Sequence, residues 1–516
     1  MSAVLLLSAP ATAPAPSGSL HFPGSLLPRR AREATEGALA PPLAPGRVNA
    51  CAGTDAPCHG GRDHGHGNGG GPGSDTDTEQ EPPPGDGQAK PRFVEVLRDH
   101  APAYLLAHHL GEQETRVLER LLQCRTPGLG GKLAVCKDCG DRTLVCNACR
   151  ERHCPTCPAV RQWRWSDQRK KRALDVPHFH TVFTVPAELR PLFLADPRRL
   201  YGALMAAAAQ TVRWACRRAV GDAIPAFTTV LHTWNRSLGQ HPHVHVLLAA
   251  GGLAPDGSRW VEPAAAMLPA DDEVRDYFRA ALLRRIRRLR ATGELRRPDG
   301  WGQERLEQVL ERAAARRWYV YSKGRLRSDE TYEYLANYTR RVGLSSARLL
   351  SYDGETVRLG TREGRSVLLS GEELVRRFLL HVLPPRFVRL RHHGLFVSRH
   401  AKNHALARLR IAEQGLGCGF AAELEGREVE APASAASAAN AASTANAASG
   451  EAGGEGETWQ ELCTRRGFDV QHCRRCQGPL DYVPFPASTE MRAGFRAMLF
   501  ARGRARLAAS AARSPP

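Results

Sequence analysis

Nothing in the 516 residues is apolar for long enough to cross a membrane as a helix, which takes about 20 consecutive apolar residues. The first ten residues, Met1 to Pro10, hold a short apolar run but no basic start, so they do not read as a secretory signal. The chain is expected to be soluble and intracellular. Acidic residues are scarce: 53 Asp and Glu stand against 72 Lys and Arg, a net charge of +19. Such a field attracts polyanions, and nucleic acid is the leading partner class. A phosphate-binding loop is missing as well. Gly128-Leu129-Gly130-Gly131-Lys132-Leu133 comes near one, but Thr126 stands where the first glycine belongs and Leu133 where Ser or Thr is required. It reads as a turn between cysteines.

Cysteine is plentiful: the chain has 14. In an intracellular protein these are not expected as disulfides, and their grouping in pairs two residues apart points to metal. The length leaves room for two to four domains and a sizeable core. Residues 1–90, dense in Pro, Gly, Ala and Ser with histidines at His59, His64 and His66, read as a disordered extension. Residues 91–176 read as a zinc-binding, DNA-recognition module whose start, Phe93 to Leu122, has helical periodicity. Residues 177–430 read as the main domain, 431–457 as a low-complexity linker, and 458–516 as a basic tail bearing Cys473 and Cys476. With Cys463 and His472 nearby, that pair has the makings of a further zinc site, although two cysteines alone are more often an incomplete motif or a dimer contact.

Cys136/Cys139 and Cys154/Cys157 are two Cys-x-x-Cys pairs separated by 14 residues, a spacing that matches a tetrahedral thiolate zinc site. Cys124, Cys146, Cys149 and His153 allow a second zinc or another choice of four. A module this small folds on its metal, so its role is recognition rather than chemistry. Directly after it, Arg161, Trp163, Arg164, Trp165, Arg169, Lys170 and Lys171 offer cations for phosphates and rings for bases. A charge run is more often a solvated helix face, so this patch is supporting evidence only.

His241-Pro242-His243-Val244-His245 leads into Val246-Leu247-Leu248, a strand pattern in which His243 and His245 share one face while Val244 points to the core. Two imidazoles side by side on a strand suit a divalent metal, although a lone His-x-His is more often a surface pair. Downstream, Asp329 to Arg341 reads as a helix with Tyr334 and Tyr338 four residues apart on one face, about 5–6 Å apart at Cβ. Each tyrosine has a packing explanation, and Tyr332 competes with Tyr334 as the partner of Tyr338. Together the histidine pair and the tyrosine pair are what a nuclease needs to cleave one DNA strand through a covalent tyrosine intermediate.

The order of blocks carries a family resemblance. The Cys-rich module, His178 to Pro186, Leu231-His232-Thr233-Trp234 leading into His241 to His245, Trp318 to Lys323, Tyr334 to Arg341, Phe378 to Pro384 and Arg391-His392-His393-Gly394 are together similar to the rolling-circle insertion-sequence transposases of the two-tyrosine HUH class, over residues 91 to 480. Cys146 departs from the pattern, standing where an aromatic is expected. The resemblance implies an α+β fold, with an antiparallel sheet bearing the metal histidines and the tyrosine helix packed close by. It implies that His243 and His245 bind a catalytic magnesium or manganese ion and that Tyr334 and Tyr338 are the nucleophiles. A third ligand is then required, with His232, His241 or an acidic residue as candidates. The implied partner is single-stranded DNA, at element ends and target, in a bacterial cytoplasm, with oligomerisation left open. Three neighbouring readings stand beside it: a plasmid- or phage-type replication initiator with the same chemistry, a zinc-dependent DNA-binding protein whose catalytic half has decayed, and a metal hydrolase that uses water.

Overall fold

The computed structural model describes residues 92–155, 157, 164, 167–264, 266–326, 343–345, 348–361, 364–417, 458–465 and 469–513. The expected arm at 1–90, the linker at 431–457 and the expected tyrosine helix lie outside the described residues. Two amphipathic helices come first, α1 (Phe93–Ala107) and α2 (Glu112–Leu122). On α2, Val117, Leu118, Leu121 and Leu122 form the buried stripe, with Glu112 and Glu114 in the first turn and Arg120 in the last, as the helix dipole favours. A hairpin follows, β1 (Gly131–Cys136) and β2 (Arg142–Cys146).

The central sheet is built from β3 (His178–Thr184), then, beyond α3 (Arg190–Ala195) and α4 (Pro197–Val220), from the long hairpin β4 (Ile224–Trp234) and β5 (Gln240–Leu253). Asp196 caps α4 by accepting the Arg199 N–H at 3.4 Å, Pro197 sits in its first turn, and Gly221 ends it at φ 63°. After β6 (Trp260–Val261), α5 (Asp271–Ala291) and α6 (Gln303–Ala315) comes β7 (Tyr319–Leu326). A small second sheet, β8 (Leu349–Tyr352), β9 (Thr356–Gly360) and β10 (Ser366–Ser370), runs into α7 (Gly371–Leu379). The described chain continues through β11 (Leu390–Gly394), α8 (Ala401–Glu413), α9 (Trp459–Arg465), β12 (Leu480–Phe485) and α10 (Thr489–Arg513). Every pairing between the described strands is antiparallel, as the α+β reading expects.

The central sheet has strand order β11-β4-β5-β3-β7, with β6 paired to β5. Its alternation divides it cleanly. Phe183, Val244 and Leu231 are register partners on one face and join Phe227 and Leu248 in a core with Leu204 of α4, Phe278 of α5 and Leu310 of α6. The opposite face carries His180, His232, His243 and His245. Three helices on one side thus hold the histidine side rigid.

A second core cuts across the expected boundary at residue 176. Phe93, Val96, Leu118 and Leu121 pack with Leu349, Val357, Leu359, Leu374 and Phe378, and with Leu499 of α10. The physical reason is that α1 and α2 expose apolar stripes larger than the short β1–β2 hairpin can cover. The described residues of the stretch 458–516, expected to be a tail, are also part of the fold: β12 pairs with β1 along its length, completing a three-stranded sheet. α10 lies against α1 so closely that a Cβ on Gly503 would come 2.8 Å from the Ala103 nitrogen. Glycine is what lets the two backbones meet there. Among the described residues, no helix is long and apolar enough to cross a membrane.

Candidate metal centre and cysteine clusters

The β4–β5 hairpin brings three histidines to one point. Register sets His232 opposite His243, and Val230 opposite His245. The ligand-capable nitrogens of His232, His243 and His245 all lie within 4.8 Å of one another. His243 Nδ1 donates to the His241 carbonyl at 2.7 Å, which leaves its Nε2 for the cluster. His245 Nδ1 meets His180 Nε2, on neighbouring β3, at 2.8 Å with the two rings within 3° of parallel. His180 therefore fixes the His245 tautomer, the role that a partner of a metal-bound imidazole fills. Burial pushes His243 down to about 4 and holds His245 well below the ordinary imidazole value, helped by His232, His243 and His180. Neutral imidazoles, as at His243 and His245 at neutral pH, are the donor form that a cation requires.

The turn that closes this hairpin is held on both sides. Asn235 Oδ1 accepts the N–H groups of Ser237 at 3.1 Å and Gly239 at 2.7 Å. Leu238 sits at φ 60°, a conformation costly for a branched side chain, and is buried in the second core. Its carbonyl accepts from His381 Nε2 at 2.9 Å, while His381 Nδ1 meets the Thr233 hydroxyl at 3.1 Å, next to His232. Arg377 of α7 donates to the Ser237 carbonyl at 2.8 Å. His381 and Arg377 are positioning residues that no spacing in the sequence announces, because their partners are main-chain carbonyls about 140 residues away.

On the same face, β7 forms the outer edge. Val182 of β3 pairs with both His245 and Tyr321, and Thr184 with both His243 and Tyr319. The two tyrosines thus stand two strand spacings from the histidines, about 10 Å, and are 71% and 59% exposed for Tyr319 and Tyr321. Their alternation with Trp318 and Val320, both packed in the core, is a strand signature visible in the sequence.

The expected nucleophiles Tyr334 and Tyr338, and Tyr332, lie outside the described residues, as do Arg161, Trp163 and Trp165. Of the expected cations, Arg164 and Lys171 are exposed, and Arg169 and Lys170 half-buried. Among the candidates for a third ligand, His232 joins the group. His241 is turned to Arg190, whose Nη2 donates to its Nδ1 at 3.0 Å. Among the described residues no carboxylate belongs to the group.

The cysteines pair differently from the spacing argument. Cys136/Cys139 and Cys154/Cys157 do not share a site. One group is Cys124, Cys149, Cys154 and Cys157, and the other is Cys136, Cys139, Cys473 and Cys476. Strand β2 is the reason: it leaves Cys139 and carries the chain roughly 15 Å away before Cys149, to the end of α2, where Cys124 waits. In the first group Cys124 Sγ lies 3.8 Å from Cys154 and 3.2 Å from Cys157, and Cys149 lies 3.5 Å from Cys157. A tetrahedral zinc at about 2.3 Å from each sulfur spaces the sulfurs about 3.8 Å apart. The residues fit the ion. His153, a further candidate ligand, is instead spent on structure: its Nδ1 meets Glu151 at 2.8 Å and its Nε2 accepts the Leu383 N–H at 3.1 Å. With Arg152, which donates to the carbonyls of Leu383, Pro384 and Phe387, it docks the cysteine loop on the segment that follows His381.

Residues 226–404 match the family model described as "Putative transposase", and residues 96–185 that described as "Transposase zinc-binding domain". The chain is 32% identical over 339 residues to "Putative transposase y4qJ" of Sinorhizobium fredii, an alignment covering 62% of this chain and 83% of that protein. It is 28% identical over 350 residues to "Transposase for insertion sequence element IS801" of Pseudomonas savastanoi pv. phaseolicola, covering 60% and 81% respectively.

Proposed function

Because the chain belongs to the insertion-sequence transposases of the rolling-circle, two-tyrosine HUH class, with their zinc-binding domain, we propose that it nicks and rejoins single-stranded DNA at the ends of its element through tyrosine-linked intermediates. The observation that carries this reading is the convergence of His232, His243 and His245 on one sheet face. Three nitrogen donors without a carboxylate suit manganese better than magnesium, which prefers oxygen. Bound there, the ion would withdraw charge from a non-bridging oxygen of the scissile phosphate and make the phosphorus a better electrophile.

The chain's own residues supply the rest. His180 and the His241 carbonyl hold two imidazoles in the metal-binding tautomer. Arg190 and the exposed Tyr319 and Tyr321 flank the face along which a strand would run. Tyr338 or Tyr334 attacks phosphorus: the phenol gives up its proton as the oxygen–phosphorus bond forms, the bond to the 3′ oxygen breaks, and the departing oxygen takes up one proton in its place. The products are a 5′-phosphotyrosine and a 3′ hydroxyl, so the energy of the diester is kept for rejoining. Two such tyrosines hold two strand ends at one centre. The group of Cys124, Cys149, Cys154 and Cys157 binds a structural zinc in the recognition module.

The test is a denaturing gel of the full chain with labelled single-stranded DNA bearing the element's ends, with manganese. A covalent adduct that disappears in Tyr334→Phe/Tyr338→Phe is the expected result. Metal-dependent cleavage with no adduct would replace this reading by water-mediated hydrolysis, and binding without cleavage by a DNA-binding protein whose chemistry is lost.

A further inference from the structure

We propose that Cys136, Cys139, Cys473 and Cys476 form a second tetrathiolate zinc site that clasps the C-terminal segment onto the N-terminal module. The zinc-binding domain match ends at residue 185, so half of these ligands lie far beyond it. Cys136 Sγ is 3.4 Å from Cys476 Sγ, and Cys139 Sγ is 3.8 Å from Cys473 Sγ, across 340 and 334 residues of sequence. All four sulfurs fall within 4.8 Å of each other, and none is in a disulfide. These are the edges of a zinc–thiolate tetrahedron before the ion draws them in.

The two halves are built alike, which crowding alone does not explain. In each, the residue after the second cysteine has positive φ, Gly140 at 67° and Gln477 at 61°. Each loop closes with the same main-chain bond, Gly140 N–H to the Cys136 carbonyl at 3.1 Å and Gln477 N–H to the Cys473 carbonyl at 2.8 Å. This is a metal-binding turn used twice, face to face. The halves are joined by Lys137 N–H donating to the Pro479 carbonyl at 3.0 Å and by the β1–β12 ladder, whose last pair is Cys136 with Leu480. Cys139 and Cys476 are exposed. Cys136 and Cys473 are buried, yet none of the four belongs to a hydrophobic cluster, so packing of an apolar core gives no reason for them. Four soft sulfur donors in a closed tetrahedron select zinc over oxygen-loving ions.

The clasp has a mechanical consequence. It stands at the start of β12, ahead of α10, which carries Arg492, Arg496, Arg502, Arg504, Arg506 and Arg513 against one acid, Glu490. Arg496 pairs with Glu119 and Arg506 with Glu355. The clasp fixes this basic helix beside the recognition module.

The experiment is metal analysis and mass-mapped thiol alkylation of the full chain. Two zinc ions per chain are expected, with Cys139 and Cys476 slow to alkylate despite their exposure until a chelator is added. Cys473→Ser/Cys476→Ser should hold one zinc and open Cys136 and Cys139 to alkylation while Cys124, Cys149, Cys154 and Cys157 stay protected; Cys463→Ser should keep two. One zinc in the wild type with Cys139 and Cys476 alkylating as free thiols would overturn the proposal, as would two zincs retained in the double variant, or iron in place of zinc. Should that variant fail to fold, the wild-type alkylation rates with and without chelator decide the matter.

Discussion

His180→Phe tests the proposed metal centre without touching a candidate ligand. The change keeps a ring of similar size on β3 but removes the nitrogen that meets His245 Nδ1 at 2.8 Å. Both histidines are buried, at 6% and 8% exposure, so water does not readily replace the lost partner. An unsatisfied buried polar group costs about 1–3 kcal/mol, and loss of such an outer partner lowers metal affinity by about 10- to 100-fold. The two estimates agree, since each tenfold is about 1.4 kcal/mol. Manganese binding by the full chain, followed calorimetrically, should weaken by that factor. The manganese concentration for half-maximal strand nicking should rise in step, while the maximal rate at saturating manganese recovers to within a few-fold. His180→Gln, which restores an acceptor, should recover part of the affinity. Unchanged manganese dependence in His180→Phe would refute the reasoning. So would an unchanged midpoint with a collapsed maximal rate, because His180 would then act elsewhere than through His245.

Tyr319→Ala/Tyr321→Ala should weaken single-strand binding by about 1–3 kcal/mol per base stacked without lowering the melting temperature, since both rings are exposed; the salt dependence should stay as it was, because no charge is removed, and a fluorescence-anisotropy titration at two salt concentrations that shows wild-type affinity would remove these residues from the DNA path. Acid should destabilise the fold for a definable reason. Burial pushes His178, His381 and His393 each down to about 4, so between their unfolded value near 6.5 and about 4 the unfolded chain takes up protons that the folded chain refuses. Stability must therefore fall as pH falls through that window, by up to about 2 kcal/mol for His381 at pH 5. Denaturant unfolding at pH 7, 6 and 5 that gives equal stabilities would contradict the burial of these rings.

Local pattern was enough to place part of this molecule. The period of two along β5 set His243 and His245 on one face with Val244 on the other, and the excess of arginine over acid pointed to nucleic acid. Pairs of cysteines beside charged residues announced metal rather than core. These properties repeat within a turn or a strand, so neighbouring residues determine them. What only the tertiary structure decided was partnership. That His232 rather than His241 joins the centre depends on the β4–β5 register, and that His180 steadies His245 depends on β3 lying next to β5. That Cys136 and Cys139 face Cys473 and Cys476 depends on a strand pairing across more than 300 residues. A spacing of 14 residues is compatible with many closures, because the entropy of closing a loop changes only slowly with its length. The choice among them falls to the packing of α1, α2 and α10 and to the ladder of β1 with β12, and no window of sequence contains both sides of those contacts.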